Sequence, residues 1–195
     1  NIDVISEFNA LKQEELGISE LHFYDNYVPL VDDVDKKYSY EEAIELVRTA
    51  LAPLGAEYLR KYDATVRARV IDVLESPGKR SGAFSWGSYA SRGLIFLNYT
   101  EKFSDVSTFA HEFGHCLHRD YSIENQPYIY YQNPIFLAEI ASTFNEALLF
   151  DHMSKIAESS EEKKFFLYQN MKRIEATFYR QSMFENLKKE IHEMA

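Results

Sequence analysis

The chain has 195 residues, of which 46% are hydrophobic and 27% charged, enough for one domain of ordinary globular composition. No apolar run approaches the ~20 residues that span a bilayer, and the net charge is −10, so we expect neither a membrane nor a nucleic acid as partner. The single cysteine, Cys116, excludes an internal disulfide and favours a reducing, cytoplasmic setting.

Helices are predicted at both ends of the chain, with a small sheet between them. Residues 1–68 have the pattern of upstream helices, in which Ser39 is placed to cap a helix N-terminus. Residues 69–100 are rich in Gly, Ser and aromatics, and "LIFLNY" (Leu94–Tyr99) is an apolar strand that "SGAFSW" can pair with. Beyond them, helices are predicted at 104–119, 134–156 and 161–193. We therefore expect a mainly α fold with a small antiparallel β-sheet.

The helix predicted at 104–119 carries the stretch "STFAHEFGHCLHRD", which contains three of the six histidines. Its apolar residues recur at helical spacing and form one stripe. At 100° per residue, His111 and His115 lie within about 40° of each other on the opposite face. Glu112 is one step round from them. The stripe consists of Val106, Phe109, Ala110, Phe113 and Leu117.

This HExxH spacing is typical of a zinc site. Two imidazoles one turn apart can each bind one Zn²⁺ through a ring nitrogen at about 2.0–2.1 Å. Glu112 is too far round to be a ligand, but it can take a proton from a water that zinc activates and return it to the leaving amine. Gly114 lies between the two faces, where the missing side chain would let another backbone come close.

Simpler interpretations compete with a metal site at this helix. The histidines can belong to a solvated polar face, in which case the chain is a metal-free helical interaction domain. His118 is near the histidine face, but we interpret it as a histidine favoured by the helix C-terminus. Cys116 turns back toward the apolar stripe, so we expect it in the core.

A catalytic zinc site needs three protein ligands, and the predicted helix 134–156 offers the third. Glu139 and Glu146 lie on one side of it, opposite a broad apolar face, and no Lys or Arg occurs between Pro134 and Phe150. Carboxylates with no local cation are stabilised by a metal or a histidine. We assign Glu139 as the third ligand and Glu146 as the acceptor for a zinc-bound histidine. Glu124 competes, but a loop position gives it no rigid placement.

These motifs resemble the oligoendopeptidase F branch of the thimet oligopeptidase-like zinc peptidases. The resemblance extends over nearly the whole chain, and "FAHEFGHCLH" and "IFLAEIASTFNEALL" carry it most specifically. The other segments that resemble the family are "ELHFYDNYVPLV", "KKYSYEEA", "GKRSGAFSWG", "IFLNYT" and "YRQSMFENLKKEIHE".

The resemblance implies an incomplete zincin-like catalytic core, with one zinc on His111, His115 and Glu139 and with Glu112 as general base. It implies an endopeptidase that cuts short unfolded peptides and whose "SGAFSW" strand pairs with the substrate backbone. Gly82, Ala83 and Phe84 are the substrate-binding residues expected there.

The chain does not begin with Met and ends at Ala195, before the histidine and tyrosines that bind the oxyanion in the family. We therefore expect a fragment of a longer protein, with impaired activity by itself. The alternative function is a non-catalytic zinc-binding helical module, although the presence of Glu112 counts against it. No feature of the sequence indicates an oligomeric state.

Overall fold

The structure is a computed structural model that describes residues 2–32 and 36–194. Residues 1, 33–35 and 195, which belong to the ranges predicted above, lie outside the described residues. α-Helices make up most of the described chain. They are α1 (Ile2–Leu16), α2 (Tyr40–Ala50), α3 (Gly55–Arg67), α4 (Phe103–Asn125), α5 (Ile135–Ala138), α6 (Ile140–Ile156), α7 (Ser160–Ile174) and α8 (Arg180–Glu193).

The described residues form two structural units, one from residues 2–32 and 156–194 and the other from residues 36–155. In the first unit, the side chain of Lys12 on α1 is buried and donates to Asn26 Oδ1 at 3.3 Å. A π-helical segment, Glu175–Tyr179, joins α7 to α8, so the helix predicted at 161–193 is continuous but changes its winding. Among the described residues, no helix is both long and apolar enough to cross a membrane.

The core of the second unit is built around α4. The predicted apolar stripe of this helix is fully buried, as is Cys116, which confirms both predictions. Tyr62 of α3 packs on Phe113 with ring centroids 4.3 Å apart, and Val47 of α2 is also inaccessible to solvent. Each such side chain contributes about 1.5–3 kcal/mol by leaving water. Burial of the stripe leaves the opposite face of α4 free to carry polar groups.

Short-range signals fix the helix ends. Ser39 caps α2: its Oγ accepts from the backbone N–H of Glu42, and the Glu42 carboxylate accepts from the N–H of Ser39. α4 is longer than the predicted 104–119 because it continues to Asn125, where Pro127 follows closely and prevents further helix. His118 is therefore inside the helix, and the interpretation that places it at the C-terminus is wrong.

A three-stranded sheet packs against α4 in the order β1 (Ile71–Asp72), β3 (Leu94–Phe96), β2 (Phe84–Trp86). β2 and β3 are antiparallel, with Ser85 opposite Ile95, as the sequence predicts. β1 is added to the other side of β3 in the parallel direction, so the sheet is mixed. The expected mainly α fold with a small sheet is confirmed, and β2 is left as an edge strand.

Candidate metal centre

Two helices of the second unit bring three potential metal ligands together. His111 and His115 lie one turn apart on α4, and their Nε2 atoms are 3.0 Å apart. Glu139, between α5 and α6, places Oε2 3.2 Å from His111 Nε2 and 3.3 Å from His115 Nε2. Among residues 2–32 and 36–194, this is the one group of three or more His, Cys, Asp or Glu side chains close enough to bind an ion.

The spacing of the three atoms fits a tetrahedral metal ion. Zinc bonds of about 2.0–2.1 Å at tetrahedral angles place neighbouring ligand atoms ~3.3 Å apart. The three observed separations are 3.0, 3.2 and 3.3 Å, so one point is at bonding distance from all three atoms. Two nitrogens and a carboxylate oxygen are also a ligand set that zinc accepts. The donor set and its dimensions therefore suit a zinc ion with one open coordination position.

Gly114 allows the two helices to approach this closely. A Cβ at this position would lie 2.5 Å from Ser142 Cα and 2.7 Å from Ala141 O, both of which are backbone atoms of α6. Ser142 then donates from Oγ to Glu139 Oε2 at 2.7 Å. The close backbone contact expected at Gly114 is thus present, and it lies next to the residue that orients Glu139.

Glu146 accepts hydrogen bonds on the far side of the histidine pair. Its Oε2 lies 3.1 Å from His111 Nδ1, and its Oε1 accepts from Ser107 Oγ at 3.1 Å. Burial alone would lower the pKa of His111, but the hydrogen bond and charge of Glu146 raise it. A proton on Nδ1 leaves Nε2 with a lone pair directed at Glu139 and His115, which is the tautomer that a metal ligand needs.

His115 and Glu112, on the same helix as His111, have opposite pKa shifts. Burial, together with the charge of the neighbouring His111, lowers the pKa of His115 and favours the neutral ring that binds metal. Burial raises the pKa of Glu112, while His111 and a backbone hydrogen bond from Ser85 act in the other direction. Glu112 is only 6% exposed, and its Oε2 has no partner among the described residues. A buried carboxylate oxygen with no partner is a free proton acceptor.

The predicted substrate-binding residues lie at the sheet edge. Phe84 is in β2, 45% exposed, and stacks on Phe96 at 4.6 Å between ring centroids. Gly82 adopts a φ of 94°, which disfavours any side chain there. Asn98 Nδ2 donates to Gly82 O at 2.8 Å, and Ala83 follows directly. Ser85, which follows Phe84 in β2, contacts the Glu112 carboxylate through its backbone, so this strand is close to the candidate base.

The competing ligand Glu124 is not part of the centre, because it forms an ion pair with Lys61. Two side chains that the sequence analysis did not single out do contribute. Ser107 is one turn before His111, so the helical repeat could have identified it. Asn145 donates from Nδ2 to the Ala110 carbonyl at 3.1 Å, which ties α6 to α4, but its sequence context has no feature that predicts this long-range contact.

Known proteins share this sequence and this fold. The sequence profile of peptidase family M3 matches residues 2–195. An oligoendopeptidase F homolog of Lactococcus lactis subsp. lactis is 39% identical over 193 residues, which are 99% of this chain and 32% of that protein. The oligopeptidase PepF of Bacillus subtilis is 37% identical over 195 residues, 100% of this chain and 29% of that protein.

A crystal structure of a peptidase from Chlamydophila abortus superposes with a TM-score of 0.87 at 42% identity, covering 98% of this chain and 32% of the other. The chain thus spans about a third of the length of the relatives that it matches. The resemblance to oligoendopeptidase F is confirmed. Because the family profile matches nearly the whole length of the chain, the chain belongs to peptidase family M3.

Proposed function

We propose that the protein hydrolyses peptide bonds at a single zinc ion bound by His111, His115 and Glu139. The observation that carries this proposal is the spacing of 3.0–3.3 Å among the three ligand atoms, which matches a tetrahedral zinc site. Membership of a peptidase family supports the reaction class. The names of the relatives, oligoendopeptidase and oligopeptidase, support short peptides as substrates.

Glu112 acts as the general base and then as the general acid. When bound, zinc lowers the pKa of a water toward ~7 and polarises the substrate carbonyl. Glu112 Oε2, buried and without a partner among the described residues, accepts the proton of the attacking water. The same carboxyl then donates that proton to the departing amine nitrogen. Cys116 takes no part, because it is buried and its pKa is raised to about 11 by that burial.

Glu146 holds the His111 ring in the tautomer that can bind a metal through Nε2. Its carboxylate holds the proton of His111 on Nδ1, and Ser107 fixes the carboxylate in turn. Carboxylates of this kind typically affect metal affinity or activity by 10–100-fold.

The edge of β2 binds the peptide backbone. The strand order β1-β3-β2 leaves one side of β2 unpaired within the described sheet. The side chains of Phe84 and Trp86 in β2 are 45% and 61% exposed. An extended peptide can add to such an edge by backbone hydrogen bonds. Gly82, Ala83 and Phe84 then line the substrate, with Gly82 leaving room for its backbone.

The 195-residue chain by itself binds the ion but turns peptides over slowly. The relatives are about three times as long, and the resemblance assigns the oxyanion-binding residues to a segment after Ala195. Loss of one oxyanion donor typically lowers kcat by about 10²–10³-fold. Equal kcat values for this chain and for a protein of the relatives' full length would show that this part of the proposal is wrong.

The decisive experiment replaces the base while keeping the ligands. In a protein of the relatives' full length, Glu112→Gln should retain one zinc per chain but lose peptide hydrolysis. Glu41→Gln, an exposed glutamate in the first turn of α2, is the matched control and should leave both unchanged. A fully active Glu112→Gln enzyme would contradict the role of Glu112. A wild-type protein that binds zinc and cleaves no peptide would favour the non-catalytic module instead.

A further inference from the structure

The loop between β2 and β3 begins at Gly87 and ends at Gly93, and one arginine occupies the space beside both. A Cβ on Gly87 would lie 2.6 Å from Arg119 Nη1 and 2.7 Å from Arg119 Cζ. A Cβ on Gly93 would lie 2.6 Å from the same Cζ and would overlap Nη2. Neither glycine is in the left-handed region of φ. A side chain at either position would therefore have to displace the Arg119 guanidinium, although the backbone conformation would accept one.

Arg119 has few partners for a charge that is largely buried. Its side chain is 13% exposed, and Nη2 lies 3.4 Å from Asp120 Oδ1 and 3.5 Å from Cys116 Sγ. Nε is buried and has no partner among the described residues. Such weak pairing offsets little of the free energy that is needed to remove a cation from water. What the site does provide is a close fit, because a guanidinium is flat and rigid enough to lie between two main-chain segments.

The two glycines connect this arginine to the peptide-binding strand. Gly87 directly follows β2 and Gly93 directly precedes β3, so Arg119 of α4 lies beside both ends of the hairpin loop. Arg119 is one turn beyond His115 on that helix. Between the loop and the metal ligands, Ser85 of β2 interacts with the Glu112 carboxylate and with the Cys116 side chain. The hairpin and the candidate base are thus held on the same helix.

We propose that Arg119 is a positioning residue whose guanidinium, seated between Gly87 and Gly93, locks the β2–β3 hairpin against α4. This contact sets the distance between the edge of β2, which binds the peptide, and Glu112, which takes the proton of the attacking water. The consequence for catalysis rests on the proposed function, whereas the placement of the hairpin does not.

The placement can be measured without catalysis, because Trp86 is the single tryptophan of the chain and adjoins Gly87. Arg119→Ala should increase acrylamide quenching of Trp86 and speed amide exchange in β2 and β3 by roughly tenfold, relative to amides of α2. Arg92→Ala, an exposed arginine of the same loop, removes the same charge and should change neither. If Arg119→Ala does not fold, Arg119→Lys keeps the charge and should show the same loosening. Wild-type quenching and exchange in the folded variant would overturn the proposal.

A double-mutant cycle tests the fit itself. Gly87→Ala puts a methyl group 2.6 Å from Arg119 Nη1, and the three atoms nearest to it all belong to Arg119, so it should loosen the hairpin when Arg119 is present. In the Arg119→Ala background these atoms are gone, and Gly87→Ala should add little. Effects that add independently would show that the glycine and the arginine do not share one space, and would refute the lock.

The catalytic consequence is measured in zinc-loaded protein of the relatives' full length. Arg119→Ala should keep one zinc per chain and lower kcat by about tenfold or more with a smaller change in KM, because a strand displaced by about 1 Å misaligns the reacting groups. A merely structural arginine would lower the thermal midpoint and leave kcat unchanged below it, and that result would overturn the positioning role. If no variant, wild type included, cleaves peptides, the proposed function fails while the quenching and exchange results still decide the lock.

Discussion

Gly114→Ala should separate zinc binding from the intrinsic stability of α4. The added methyl carbon would lie 2.5 Å from Ser142 Cα, whereas carbon atoms in contact are about 3.5–4.0 Å apart. The neighbouring atoms belong to the backbone of α6, so no side-chain rotation can relieve the clash. α6 must therefore move away from α4 by about 1 Å or more. Ser142 is hydrogen-bonded to Glu139 Oε2 at 2.7 Å, so the displacement reaches the proposed ligand.

The magnitudes decide which effect is larger. Alanine is favoured over glycine inside a helix by roughly 0.5–1 kcal/mol, and overpacking costs typically ~1–3 kcal/mol. We expect a net loss of about 1–2 kcal/mol in the metal-free protein. Zinc bonds tolerate only about ±0.2 Å, so a shift of about 1 Å at Glu139 should weaken zinc binding by about 100-fold or more.

Competition with a chromophoric chelator measures the zinc affinity, and urea unfolding of the metal-free protein measures the stability. Ser104→Ala is the control, because Ser104 is exposed on the same helix and its replacement changes helix propensity without touching α6. A Gly114→Ala protein that binds zinc within about twofold of wild type would refute the reasoning, because the close contact would then have no effect on Glu139.

Three further outcomes are expected. Glu146→Gln should lower zinc affinity by about 10–100-fold, as measured by the same chelator competition, because it removes the acceptor of the His111 proton. Lys79→Ala should reduce the free energy of unfolding by about 1–3 kcal/mol in urea titrations, because the 5%-exposed Lys79 ammonium donates to Asp72 and Leu74 O. The Arg48 hydrogen bond lowers the pKa of Asp63 below its ordinary 3.8, so this pair stabilises the fold above that pH and loses the effect as the pH falls through the lowered pKa; unfolding of Asp63→Asn at acid pH should lack that part of the pH dependence.

The sequence predicts α4 well because its signals are local. Helical spacing alone places His111 and His115 together, puts the apolar stripe in the core, and sets Gly114 where another backbone can approach. The end of α4 can also be predicted from the sequence, because Pro127 is a stronger helix-stop signal than His118.

α6 shows what local patterns leave out. Periodicity separates its polar and apolar sides, but burial follows the polar side: Ser142 and Asn145 are inaccessible, whereas Ile140 and Phe144 are 58% and 53% exposed. Hydrogen bonds to α4 and to Glu139 satisfy the buried groups, so hydrophobicity does not decide the orientation. Such partners lie far away in sequence, and no local pattern reports them.

The helix is interrupted at Glu139, and this interruption has a consequence for the surroundings of the proposed site. This residue ends α5 at φ −92° and ψ 0°, so the predicted single helix 134–156 is two helices with the proposed ligand at their junction. Ile135 and Phe136 of α5 are 89% and 88% exposed, while Ser142 of α6 holds the carboxylate. The exposed apolar residues thus precede the junction, and the hydrogen bond that orients the proposed ligand comes from the helix after it. The two sides of this short stretch therefore have different neighbours: solvent beside α5, and the polar face of α4 beside α6.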